Sequence, residues 1–369
     1  MNLPVYCLRS IISRPPLPHG RGSVTDVRIA ARFRGARVSK RSFRPLPHGR
    51  GSVRALGCLL LVLVLAAPLP AAKKKTFELR GNIAPAPGPA VVVLSGATSP
   101  FIARTIADSN GDFKFRKLDP AAYKVWVFAP GEGEVEQTVE VGPSTADKKR
   151  RVAASIPFTS PVITGLAQRH KVSVRDLSIP PEAKLDFVEA RRLFGRKDTD
   201  GAIRRLEHAV QIAPQFAAAW NELGTTAYLT QRYAEAEGYF RKALENDPGS
   251  FQAIVNLGGV LLNLKRPDEA LKYNTFAVGD RPKDALANTQ MGLNYYFLSD
   301  FDNAIPYLRE AKSRDPGHFS FPQLYLADIY VRRGAKQAAI LELEDFLVRH
   351  PDAKDAPLAR ERLEQLRAK

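Results

Sequence analysis

Six histidines, two cysteines and a short run of acidic and amide side chains are where chemistry would first be sought in this chain. His19, His48, His170, His208, His318 and His350 are scattered, and no HExxH pattern sets two imidazoles one helical turn apart for a metal. Cys7 and Cys58 both fall within the first 72 residues, so no thiolate from residue 73 onward can bind zinc, attack a substrate or form a disulfide. Neither a G-x-S-x-G elbow nor a phosphate-cradling GxxxxGK[ST] loop occurs. Asp108, Asn110 and Asp112 alternate as in a calcium loop. Such a loop needs glycine sixth and glutamate twelfth, where this chain has Phe113 and Asp119, so a hydrated turn is the simpler reading. Glu342 and Glu344 fit an ordinary helical surface. These residues predict no catalytic centre, no metal and no cofactor. The remaining enzymatic alternative is a hydrolase whose site is assembled from scattered residues.

Charge divides the chain sharply. Residues 1–72 hold twelve Lys and Arg against one acid, Asp26, whereas residues 73–369 hold 43 basic and 37 acidic residues. The later net of +6 is an ordinary solvated surface, so nucleic acid is not an expected partner; that reading would rest on the leader alone. The string PLPHGRGSV occurs at 16–24 and again at 45–53. Residues 1–53 carry too little apolar area to offset the entropy of ordering them, which suits a disordered basic leader. Their repetition also resembles a translated repeated DNA element, with translation starting near Val53. Next come Arg54, an apolar run of thirteen at 55–67, and Pro-Leu-Pro-Ala-Ala before three lysines. Thirteen residues span about 20 Å as a helix, short of a hydrocarbon core of roughly 30 Å. Residues 54–72 are thus read as a signal peptide cleaved after Ala72, making the protein exported, periplasmic or envelope-associated. In the alternative, residues 55–70 stay uncleaved and anchor an envelope assembly factor in the membrane.

Residues 76–156 alternate with period two in short runs such as DFKFRKL and YKVWVFA, punctuated by turns. A small antiparallel β-sandwich is expected, with the run at Tyr123–Phe128 central and a hairpin at Asn110-Gly111. Gly81, Ile83, Thr105, Ala107, Asp108, Asn110, Gly111, Phe113, Phe115, Leu118, Pro120, Tyr123 and Val125 fall in a pattern that resembles the carboxypeptidase regulatory-like, transthyretin-type family. Ala121 and Ala122 stand where that family usually has glycine. The resemblance implies an accessory domain without catalytic residues.

After a Pro-bounded linker at 157–182 the period becomes 3.6. Pro214, Pro248, Pro282 and Pro316 lie 34 residues apart, and Pro351 follows 35 later. Twelve residues before each stands Ala202, Ala236, Ala270, Ala304 or Ala339, and Gly224, Gly258 and Gly292 keep the same beat. Small residues at fixed points let paired helices cross closely, and each proline ends a unit. One hairpin cannot bury its apolar face, whereas a stack can. The units at 183–216, 217–250, 251–284, 285–318 and 320–353 resemble the tetratricopeptide repeat family, 217–250 most closely, with a capping helix at 355–369. The first unit departs at Asp186 and Ala190, and the third has Asn274 where the second has Phe240. The expected architecture is multidomain, all-β then all-α: the sandwich followed by an α-helical superhelix.

The resemblance implies a scaffold that binds another protein or a peptide segment along an inner wall made by the first helix of each unit. On that wall Asn221, Thr225, Tyr228, Val255, Leu262, Thr289, Leu293 and Tyr296 are expected to face a partner. The plainer alternative is a groove that packs against the protein's own sandwich.

Overall fold

The computed structural model describes residues 75–130, 132–158 and 178–368. The leader, the segment read as a signal peptide and most of the linker lie outside the described residues. Seven strands come first: β1 (Phe77–Ala84), β2 (Val91–Gly96), β3 (Ile102–Ile106), β4 (Asp112–Leu118), β5 (Ala121–Ala129), β6 (Gly133–Val141) and β7 (Arg151–Pro157). They form a three-stranded sheet, β4-β1-β7, and a four-stranded sheet, β3-β2-β5-β6. Alternation buries one face of each. Leu79 and Ile83 of the first sheet meet Val92, Leu94, Tyr123, Val125 and Val127 of the second in one apolar core. Strand β5 is central, as its two bulky faces predict. Ladders are antiparallel throughout except that β1 runs parallel to β7.

Two features of this domain follow from single residues. Gly81 pairs with Phe113 across the β1–β4 ladder, and a Cβ at Gly81 would lie 2.0 Å from that ring. The phenyl group therefore needs glycine beneath it. Asn110-Gly111 does turn the chain, with Gly111 at φ 81°, but the hairpin expected there does not form. Strands β3 and β4 belong to different sheets, so the turn is a crossover. Asp108 stabilises it, its Oδ1 accepting the N–H groups of Asn110 and Asp112 at 2.9 Å each.

Eleven helices follow among the described residues: α1 (Pro181–Gly195), α2 (Thr199–Ile212), α3 (Ala217–Leu229), α4 (Tyr233–Asn246), α5 (Phe251–Asn263), α6 (Pro267–Asp280), α7 (Ala285–Phe297), α8 (Phe301–Arg314), α9 (Pro322–Arg332), α10 (Lys336–Arg349) and α11 (Ala356–Ala368). Consecutive pairs are five hairpins, and α11 caps the last. Ala202, Ala236, Ala270, Ala304 and Ala339 are fully buried at the crossings. The glycines accept the side chain of the partner helix: a Cβ at Gly224 would sit 2.6 Å from the Phe240 ring, and one at Gly292 would sit 2.7 Å from Leu308. The turn inside each of the first four hairpins holds one residue in the left-handed region, Lys197, Gln231, Lys265 and Ser299, at φ 64°, 64°, 63° and 62°. The fifth uses Gly334.

Candidate partner-binding surface

The inner wall is built by α3, α5, α7 and α9, whose neighbours rest directly on one another. Of the eight residues expected to line it, Asn221, Thr225, Tyr228 and Tyr296 are half-buried and reach the surface. The other four do not. Val255, Leu262, Thr289 and Leu293 are each at most 2% exposed. Val255 packs with Phe251, Ile254, Ala277 and Ala287, and Leu262 and Leu293 join the main helical core. Thr289 donates its hydroxyl to the Ala285 carbonyl at 2.8 Å. These four positions were expected to be open. They are closed because the inner helices approach one another too tightly to leave side chains on an open face.

What remains accessible is polar and clustered on α3 and α5. Asn256 Nδ2 lies 3.4 Å from Asn221 Oδ1 and 3.5 Å from Thr225 Oγ1. Asn263 Nδ2 donates to Tyr228 Oη at 3.3 Å and to the Gly259 carbonyl at 2.9 Å. Burial, with Tyr233 nearby, raises the Tyr228 phenol to about 12, so it stays a neutral donor. Asn256 and Asn263 were not foreseen. They stand one place after the positions singled out on the wall, and their amides reach back to the preceding helix. On α7 the Tyr296 hydroxyl donates to Asp328 Oδ2 at 2.5 Å, and Arg332 Nε donates to the same oxygen at 2.6 Å.

The first unit replaces an aromatic with Asp186, which is 5% exposed. Arg205 Nη1 donates to its Oδ1 at 2.9 Å, and His208 Nδ1 lies 2.5 Å from its Oδ2. Burial pushes this carboxyl up, but the hydrogen bonds from His208 and Arg205 outweigh it and hold the pKa below the usual range. The cluster thus satisfies a buried charge. Among the described residues no group of three His, Cys, Asp or Glu converges on a point that could hold a metal ion.

A second surface, unforeseen in its particulars, joins the sandwich to the helices. Thr138 on β6 donates its N–H to Asp315 at 3.1 Å and its hydroxyl at 2.5 Å. Ser144 donates its N–H and hydroxyl to Asp352 at 2.8 and 2.6 Å. At the other end of the stack Lys197 Nζ reaches Asp119 Oδ2 at 2.8 Å and the Lys117 carbonyl at 3.2 Å. Ile102 packs into the apolar cluster of the first hairpin. Burial raises the pKa of Asp315, while the Thr138 hydrogen bonds oppose that rise. Burial, with Lys124 and His350 nearby, lowers His318 to about 3. The Ser320 N–H donates to its Nδ1 at 3.3 Å, which suits the neutral ring. The Thr138 and Ser144 contacts fall on the turns that close the fourth and fifth units.

Two family profiles, both described as tetratricopeptide repeat, match the helical half, one at residues 187–251 and 289–354 and the other at 227–288. Residues 187–354 are tetratricopeptide repeats. Among curated proteins, the chain is 29% identical over 161 residues to the human cell division cycle protein 16 homolog, covering 39% of this chain and 26% of that protein. It is 26% identical over 125 residues to the BBSome complex member BBS4 homolog of Drosophila melanogaster, covering 34% of this chain and 26% of the relative. The chain thus spans about a quarter of the length of these relatives. Among solved structures, the type IV pilus biogenesis factor PilW is 22% identical, with a TM-score of 0.44, over 52% of this chain and 94% of that one. A thermophilic repeat protein of Thermus thermophilus is 20% identical, with a TM-score of 0.41, over 51% and 100%. Tetratricopeptide repeats bind protein or peptide partners as a class. The repeat architecture supports a protein-protein interaction scaffold.

Proposed function

We propose that this scaffold works outside the cytoplasm and receives an extended segment of another protein on the inner wall of its second and third repeats. The supporting observation is the half-buried polar row of Asn221, Thr225, Tyr228, Asn256 and Asn263 on a wall where Val255, Leu262, Thr289 and Leu293 are closed. Amides and a neutral phenol offer donors and acceptors at the right height for a peptide backbone, and they carry no net charge to select an ionic partner. Tyr296, farther along the wall, extends this surface, and Val255, Leu262, Thr289 and Leu293 support it from beneath. The sandwich, whose motif resembles the carboxypeptidase regulatory-like family, is the accessory domain. Export is supported by the signal-like pattern at 54–72. Among the described residues no helix is long and apolar enough to cross a membrane, and residues 55–70 lie outside them. A membrane-anchored envelope assembly factor is the second reading, and it rests on that apolar run alone.

The test has two arms. Asn221→Ala, Tyr228→Ala and Asn263→Ala together, in the full chain, should abolish capture of partners that the unaltered protein retains after crosslinking in the source cell. Retention of the same partners would overturn the groove. Separately, mature protein beginning near Lys73 in the exported fraction supports export, a full-length chain resisting carbonate extraction favours the anchor, and a full-length chain in the cytoplasm rejects both.

A further inference from the structure

We propose that the β-sandwich is a releasable clasp drawn across the arc of repeats, holding the first hairpin to the fourth and fifth and controlling exposure of the inner wall there. This deepens the scaffold reading and rests on it for the purpose of that wall. One row of the four-stranded sheet carries the geometry. Ile102 pairs with Ser95, Ser95 with Lys124, and Lys124 with Thr138. One end of the row packs, partly buried, against the first hairpin's core, and the other is bonded to Asp315 after α8. Strands about 4.8 Å apart put those ends about 14 Å from each other, whereas the second, third and fourth hairpins separate the anchors along the chain. The row is a chord and the helices are the arc.

The seam is built to part. The sandwich core contains no helical residue, and among the described residues Ile102 is the one sandwich side chain in a helical core. Elsewhere it consists of polar contacts. Ser144–Asp352 and Lys197–Asp119 are exposed, so water competes well for them. Thr138–Asp315 is buried, and the buried His350 lies 3.5 Å from Glu140. Backbone approaches replace interdigitation: a Cβ at Gly195 would lie 2.7 Å from the Ile102 carbonyl oxygen, and one at Gly317 would lie 3.2 Å from that of Thr138. Interfaces of this polar kind within a chain behave like transient ones. Each domain keeps its own core when they separate. Asp315 and His318 stand at the entrance to α9, so release uncovers the start of the inner wall in the fifth unit.

The test compares three forms of the full chain by hydrogen exchange with mass spectrometry, with Cys7→Ser and Cys58→Ser in each. The released form carries Thr138→Ala, Ser144→Ala and Lys197→Ala. The locked form carries Gly142→Cys and Asp352→Cys; a Cβ at Gly142 lies 3.2 Å from the Asp352 Cβ, close to the roughly 3.5–4.5 Å of a disulfide. Exchange in segments 284–296 and 315–325 should be at least tenfold faster in the released form. It should be slower than in the parent when the lock is oxidised and return to the parent rate on reduction, while α3 to α5 stay unchanged. Equal exchange in all three forms, or acceleration spread evenly over every helix, would overturn the clasp. No partner is needed, so a failed search for one leaves this result standing, and a partner that binds cannot rescue the clasp if the three forms exchange alike.

Discussion

Asn274 offers the sharpest test of how the repeats are held together. It is fully buried on α6, where the second unit has Phe240 and the fourth has Leu308. Its Nδ2 donates to Asn294 Oδ1 at 2.8 Å, and Asn294 Nδ2 donates in turn to the Pro267 carbonyl at 2.9 Å. A Cβ on Gly258 would lie 1.9 Å from Asn274 Oδ1, so the amide fills the notch that a ring or isobutyl group fills in its neighbours. Asn274→Leu recreates the packing of the fourth unit but strands the Asn294 carbonyl in an apolar crossing, at about 1–3 kcal/mol. Asn294→Val, which copies Val260 at the same place in the third unit, leaves the Asn274 amide only its long bond to the Gln290 carbonyl at 3.4 Å. Changing both removes donor and acceptor together, so the double variant should be more stable than the sum of the singles by about 1–3 kcal/mol. Urea unfolding of the four proteins, with slopes checked for constancy, measures this coupling. Additivity within about 0.5 kcal/mol would refute the idea that the two amides act as one buried unit.

Other expectations follow from single sites. Phe240→Ala should lower stability by about 3–5 kcal/mol in urea titration, since a fully buried ring is lost where Gly224 cannot refill the space. Gly81→Ala, driving a methyl group into the Phe113 ring, should destabilise the sandwich by about 1–3 kcal/mol, read from the near-ultraviolet signal on unfolding. His318, lowered from 6.5 to about 3, stays neutral in the fold while the unfolded ring protonates near 6.5. Its contribution is therefore full above that pH and declines down to about pH 3, by up to roughly 1.4 kcal/mol per unit. Urea midpoints measured from pH 7 to 4 should fall less steeply for His318→Asn than for the parent.

The regular parts of this molecule were legible because they repeat. Alanines and glycines on a 34-residue beat can mean only a recurring close approach, and each is buried where the beat puts it. Strand runs were legible from alternation, yet Asn110-Gly111 misled. A turn residue specifies local backbone and says nothing of which sheet receives the next strand. The inner wall was half legible. Position along a helix tells which way a side chain faces, but whether that face is open depends on how closely the next helix lies, and that is set by side chains 34 residues away. Thr138 with Asp315, and Ser144 with Asp352, are 177 and 208 positions apart and leave no linear trace.

The left-handed residues in the hairpin turns divide by what their side chains do. A non-glycine residue there carries a conformational penalty of roughly 1 kcal/mol that glycine escapes. Gln231 and Ser299 sit at corners where the backbone alone makes the bend, so glycine fits there and relieves the strain. Lys197 is different: its φ of 64° aims an ammonium group at Asp119 and at the carbonyl of Lys117, itself at φ 59°. Glycine at that corner would relax the bend and take the ammonium group away from Asp119, so the same exchange that steadies those two joints loosens this one.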